Sequence, residues 1–194
     1  MNDTKSIILA GVGGQGAILV SKVLTRGLVD AGYDVKMSEV HGMAQRGGSV
    51  STQVRFGTKV WSPIVGRGGA DIMVAFEKME AIRYCEFLKP DGIAVINDYE
   101  ILPMTVACGA AVYPDGTIED MKKHFRTVVI DAASIASSLG SIRCMNIVLF
   151  GAMVKSLSLD SIDWTAVLKE TLAPKILDMN LLAFKAGLEA SCDK

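Results

Sequence analysis

The sequence predicts an α/β fold, a mostly parallel sheet between helical layers with a β-hairpin insertion and a helical C-terminal portion. Three observations carry that expectation. Residues 6–10 form a short apolar run that enters Gly-Val-Gly-Gly-Gln-Gly at residues 11–16, and a segment of helical spacing follows at once. Further short apolar runs at residues 70–75, 93–96 and 128–130 alternate with longer periodic segments, the rhythm of strands joined by crossover helices. Between them Val50, Thr52, Val54 and Phe56 alternate with Ser51, Gln53 and Arg55, the period of a half-buried strand.

In chain order, residues 17–31 place Ile18, Leu19, Val23, Leu24, Leu28 and Ala31 on one helical stripe, with Gly32 positioned to end the helix. Residues 35–37 are expected as the second strand and residues 38–49 as a structured glycine-rich loop with one helical turn. After the strand at residues 50–56, Lys59, Val60 and Trp61 are expected to pair back as the hairpin. A helix over residues 76–88 stops at Lys-Pro-Asp-Gly. Residues 97–116 are read as irregular, with Val106, Ala110 and Val112 contributing an edge strand. Asp131 is placed to cap a helix over residues 132–139. Helices over residues 144–157, 164–172 and 174–190 complete the chain. No linker or repeat interrupts it, so residues 1–194 read as a single domain.

Composition narrows the function. Of 194 residues, half are apolar, and the formal net charge is −1 with basic residues scattered. A nucleic-acid surface requires a basic cluster, and none is present. No apolar run reaches the roughly 18 residues of a membrane span. The opening residues lead straight into the first strand, so a cytoplasmic protein is expected, with reduced thiols at Cys85, Cys108, Cys144 and Cys192. These cysteines stand too far apart for an iron–sulfur or zinc motif, and no metal site is expected.

The glycine turn is the first candidate site. Gly11, Gly13 and Gly16 relax the reversal, the backbone approach and the helix packing, while Gly14 and Gln15 fill the turn. Unpaired amides at the start of the next helix suit a phosphate, although the same turn also serves close packing alone. In a Rossmann-like three-layer fold, an acid about 20 residues on holds ribose hydroxyls. Glu39 stands there, as a ribose ligand or a solvated charge. His41 either contacts ligand or holds the loop by a hydrogen bond. Arg46, between Gln45 and Gly47, is either a bidentate anion clamp or the ion-pair partner of Glu39. Gln45 and Ser49 support the ligand or close the loop. Arg67, Glu77, Asn97 and Asp98 are secondary candidates near strand ends. Asn146, a polar residue early in an apolar helix, needs a partner, either the glycine turn or another chain. His124, among lysines, is expected at the surface. No nucleophile–base–orienter set is visible, so no catalytic residue is assigned and no catalysis by the chain alone is expected.

Taken together, Gly-Val-Gly-Gly-Gln-Gly at residues 11–16 and Ser-Glu-Val-His-Gly-Met-Ala-Gln-Arg-Gly-Gly-Ser at residues 38–49 resemble the gamma subunits or domains of 2-oxoacid:ferredoxin oxidoreductases. Within that family they are most similar to the small (beta) subunits of the indolepyruvate enzymes, and Asn146 matches a further family position. The resemblance implies a subunit without tightly bound cofactor. Thiamine diphosphate and 4Fe-4S clusters would lie on a large partner subunit, with coenzyme A as co-substrate and ferredoxin as electron acceptor through the complex. A homodimer of the isolated chain is compatible with it. The readings that stay open beside it are a stand-alone NAD(P)-dependent oxidoreductase and a coenzyme A-binding protein with no obligate partner.

Overall fold

The computed structural model describes residues 4–41 and 47–191, with the backbone alone for His41. The elements run β1 (Lys5–Val12), α1 (Ala17–Asp30), β2 (Asp34–His41), β3 (Ser49–Gly57), β4 (Ala70–Ala75) and α2 (Lys78–Tyr84), which one 3-10 turn extends through Phe87. They continue as β5 (Leu88–Asn97), α3 (Met104–Ala107), α4 (Thr117–His124), β6 (Arg126–Ile130), α5 (Ala132–Ser138), α6 (Met145–Ser156), α7 (Trp164–Thr171) and α8 (Pro174–Ala190).

The strands form one sheet in the order β2-β3-β1-β4-β5-β6. β1, β4, β5 and β6 are parallel, and β3 is antiparallel to both β1 and β2. Because side chains alternate across a strand, β1 feeds both faces. Ile7 and Leu9 pack with α1 and α5 to α8, whereas Ile8 and Ala10 pack with α2 and α4. The helix after β1 therefore lies on one face and the helix after β4 on the other. That places a topological switch between these neighbouring strands, where open α/β sheets hold ligands beyond the strands' carboxyl ends.

On the larger face α6 is buried from Asn146 through Val154, more than two full turns. It meets α8 through glycines. A Cβ on Gly187 would lie 2.0 Å from the Val148 carbonyl oxygen, and one on Gly151 would lie 2.3 Å from that of Phe184. The two backbones touch directly.

The α/β layering, the parallel strands and the C-terminal helices match the expectation, and α8 has the expected bounds. Three local readings are corrected. The antiparallel hairpin is β2 with β3, and residues 59–61 take no part in it. The Val60 amide instead donates to Asp34 Oδ2 at 2.9 Å, and Lys59 lies over the Trp61 ring. Residues 38–41 continue β2, because the polar ladder of β3 from Gln53 to Val50 completes their hydrogen bonds. Val106 and its neighbours form no edge strand. Pro103 precedes the short helix α3 and Gly109 ends the segment at φ 76°, a positive angle that no strand residue adopts. One helix has no counterpart in the sequence reading: α4 forms although only Thr117 and Met121 of it are buried. Its favourable charges, Glu119 and Asp120 early and Lys122 and Lys123 late, support it instead.

Candidate functional site

The two glycine-rich stretches meet at the end of β1. The register sets Gly11 beside Val50, Val50 beside His41, and Val12 beside Ser49. The Gly13 amide donates to the Gly48 carbonyl at 2.9 Å, and the Gly47 amide donates back to the Gly13 carbonyl at 3.4 Å. The first stretch is thus closed by the second. Gly13, expected as the point of ligand approach, spends its N–H on the chain itself.

The remaining members of the turn divide into fasteners and open groups. Gln15 is buried; its Oε1 accepts from the Val12 amide at 2.7 Å and its Nε2 donates to the Phe76 carbonyl at 2.8 Å. Gly11 leaves room for Gln15 and Phe76, whose nearest atoms would stand 3.1 Å from a Cβ. Gly16 adopts φ 81°, and Asn146 Nδ2 donates to its carbonyl at 3.3 Å. Asn146 therefore serves the glycine turn, one of the two roles expected of it. Gly14, at φ 104°, faces open space.

Among the described residues, the amides of Gly14, Gly16, Ala17 and Ile18 have no acceptor. Helix α1 also lacks a side-chain cap and an acid in its first turn. These open amides and the positive end of the helix dipole together suit an anion. These amides border a cleft of about 350 Å³ lined by Val12, Gly13, Gly14, Gly16, Ala17, Ile18 and Val50. A larger cleft of about 650 Å³ opens between α1 and α7 at the other end of the sheet. Its charges are Arg26, Asp30, Asp163 and Glu170, and Arg26 is already paired with Asp30 and Glu170. Acid-rich and far from the parallel strands' carboxyl ends, it is the weaker candidate for an anion, and the smaller cleft is preferred on chemistry.

Glu39 does not reach the ribose position. β3 occupies the place beside β1 that a second parallel strand fills in a dinucleotide site. Glu39 lies one strand further out, where Ser21 Oγ of α1 donates to its Oε1 at 3.3 Å. The His41 backbone pairs with Val50 at the same edge as the turn. Gln45 and Arg46 lie outside the described residues. Arg67 pairs with Glu86 at the opposite end of the sheet. Asn97 is a buried bridge, donating to the Phe76 carbonyl and accepting from the Ala132 amide. Asp98 pairs with Lys78. His124 is exposed.

Across the switch Glu77, a secondary candidate of the sequence, stands beside Glu80, which motif reading passed over. Glu77, 1% exposed, caps α2 by accepting from the Glu80 amide at 3.1 Å and also accepts from the Ile101 amide and Tyr113 Oη. Glu80, 3% exposed, accepts from Ser49 Oγ at 2.5 Å and from Arg83 Nε at 3.1 Å. Within Lys-Met-Glu-Ala it looks like any helix-surface acid, and only the fold turns it inward. Burial pushes its carboxyl above the ordinary range; Ser49 and Arg83 oppose that rise, and the neighbouring Glu77 adds to it. A raised pKa in the folded state means that the native protein holds the proton more tightly. The resulting stability is present at low pH and declines as pH rises through the folded-state value. Urea unfolding from about pH 4 to pH 7 is expected to show wild type losing stability relative to Glu80→Gln. A difference that stays flat, or runs the other way, would contradict a raised Glu80.

Comparison with known proteins now settles the family. The sequence profile described as pyruvate ferredoxin/flavodoxin oxidoreductase matches residues 6–190. The chain belongs to this family. Indolepyruvate oxidoreductase subunit IorB of Archaeoglobus fulgidus is 39% identical over 189 residues, covering 94% of this chain and 92% of the relative. The protein of the same description from Thermococcus kodakarensis is 37% identical, covering 96% and 95%. Among solved structures, a 2-oxoglutarate:ferredoxin oxidoreductase from Magnetococcus marinus, with 2-oxoglutarate, coenzyme A and succinyl-CoA bound, superposes with a TM-score of 0.76 at 21% identity. It covers 100% of this chain and 32% of that one. The keto/oxoacid ferredoxin oxidoreductase gamma subunit from Geobacter sulfurreducens gives a TM-score of 0.72 at 20% identity, covering 98% and 99%. At these identities the superpositions speak for the fold. For this member of the pyruvate ferredoxin/flavodoxin oxidoreductase family, no helix among the described residues is long and apolar enough to cross a membrane.

Proposed function

We propose that this chain is the small subunit of an indolepyruvate-type 2-oxoacid:ferredoxin oxidoreductase, a one-domain component that is not catalytic alone. The observation that carries the reading is full-length similarity to the IorB subunits at 34–39% identity. The assembled enzyme would oxidatively decarboxylate an aryl-pyruvate to an acyl-coenzyme A and pass the electrons to ferredoxin. Thiamine diphosphate and the iron–sulfur clusters belong in this reading to a large partner subunit, and coenzyme A is the co-substrate. Free thiols at Cys85, Cys108 and Cys144 suit work in the reducing cytoplasm.

Within that enzyme we assign the glycine turn to a phosphate of coenzyme A. The fit rests on the amides of Gly14, Gly16, Ala17 and Ile18, unpaired among the described residues, and on the uncapped α1, which together offer donors and a positive dipole end. The cleft lies near the small end of the ligand-cavity range, which is about 300–1,000 Å³. It takes a phosphate or diphosphate and leaves the rest of a large ligand to a neighbouring chain. A stand-alone NAD(P) enzyme is disfavoured by β3, which separates Glu39 from β1.

The test is affinity purification of the tagged chain at native level from its own source. A stoichiometric large partner with the brown absorbance of iron–sulfur clusters is the expected result. A colourless, partner-free chain that nicotinamide cofactor stabilises thermally would overturn the reading.

A further inference from the structure

Ser49 stands where the two flanks of the switch come closest. It is the first residue of β3 and follows Gly47 and Gly48, whose backbone closes on Gly13. It is also the neighbour of Val50, which lines the cleft. Its hydroxyl leaves β3 and reaches α2, donating to Glu80 Oε2 with Tyr84 Oη 3.3 Å away. On the α2 side nothing about Glu80 is loose. Arg83 holds the second carboxylate oxygen, and the backbone amide is fixed by Glu77, itself held by Ile101 and Tyr113. The glycine-rich stretch after β2 is therefore fastened twice, by backbone to the turn after β1 and by one side chain to a rigid acid beyond β4.

A carboxylate at 3% exposure is costly to desolvate, and packing alone would be served as well by an apolar residue. What an apolar residue cannot do is fix the position of Ser49. A shift of Ser49 along α2 moves Gly48, the acceptor for Gly13, and with it the peptide planes that aim the Gly14 and Gly16 amides.

We propose that Glu80 is a positioning residue of the anion site, acting through Ser49 to hold Gly47 and Gly48 against Gly13 and so to aim the open amides of the glycine turn. The proposal rests on reading that turn as the coenzyme A phosphate site.

The experiment uses the assembled oxidoreductase and compares KM for coenzyme A with KM for the 2-oxo acid and with kcat. Ser49→Ala and Glu80→Ala are each expected to raise KM for coenzyme A about tenfold, the scale of one lost hydrogen bond to a charged group. The KM for the 2-oxo acid should stay in place. The double variant should cost little more than either single change, because both break the same link. Ser49→Thr, which keeps the hydroxyl, should restore most of the affinity. An unchanged KM for coenzyme A in Ser49→Ala, or a parallel loss of kcat and both KM values that Ser49→Thr does not rescue, would overturn the positioning role. If Gly16→Ala also leaves KM for coenzyme A unchanged, the assignment of the turn fails as well; with Gly16→Ala impaired, only the role of Glu80 fails.

Discussion

Gly187→Ala should destabilise the protein by about 3 kcal/mol, and Gly187→Val by more, the upper range for forcing atoms into a packed core. Helix propensity alone argues for the opposite sign, since alanine is favoured over glycine inside a helix by about 1 kcal/mol. Geometry decides between them. The new Cβ would lie 2.0 Å from the Val148 carbonyl oxygen and 2.8 Å from its carbon. Both are backbone atoms of a buried helix, and neither can rotate away. α8 must then lift off α6, which loosens Phe184 from its ring contacts with Phe150. Gly151→Ala acts on the same crossing from the other side, where Phe184 and Leu188 backbone atoms would meet the added carbon at 2.3 and 2.9 Å. Since either change separates the same pair of helices, the double variant should lose less than the sum. Urea denaturation of the three variants measures this. A Gly187→Ala protein as stable as wild type would mean that the two helices do not cross backbone to backbone.

The second large effect is functional. In the assembled oxidoreductase, Gly16→Ala is expected to raise KM for coenzyme A about a hundredfold, the penalty typical of a misplacement near 1 Å in a binding site. Two costs coincide at this residue. Its φ of 81° lies in the left-handed region, which costs an L side chain roughly 1–2 kcal/mol. The added Cβ would also stand 2.4 Å from Asn146 Nδ2, so either the asparagine or the turn must move. Asn146→Ala separates these costs. In the double variant the collision disappears while the backbone strain remains, so part of the lost affinity should return. Gly16→Ala with unaltered coenzyme A kinetics in a stably folded complex would remove the turn from the list of ligand contacts.

Much of the scaffold could be read from residue order because burial leaves a periodic trace. Residues 70–75 and 174–190 carry apolar positions at the spacing their element requires, and the structure returns the same bounds. The errors fall where satisfaction of polar groups, and not burial, chose the conformation. Val60 looks like a strand residue, but its amide goes to Asp34, a partner 26 positions away. Ser38 and Glu39 look like loop residues because β2 is an edge strand whose polar side chains remain partly open to solvent. The site was half legible for the same reason. Glycines announce an unusual backbone, and Asn146 in an apolar helix announces a missing partner. Nothing in the type or spacing of Glu80 announces that it turns inward to meet Ser49, because that contact exists only once β3 has been inserted beside β1.

The burial of α6 also bears on motion. Residues 146–154 of α6 have no solvent face, and the amides of so buried a stretch are expected among the last to exchange. Asn146 sits on that helix and donates to the Gly16 carbonyl, so the rim of the cleft is anchored to a fully buried stretch. The rim of the cleft is therefore expected to move with the core and not with the loops around it.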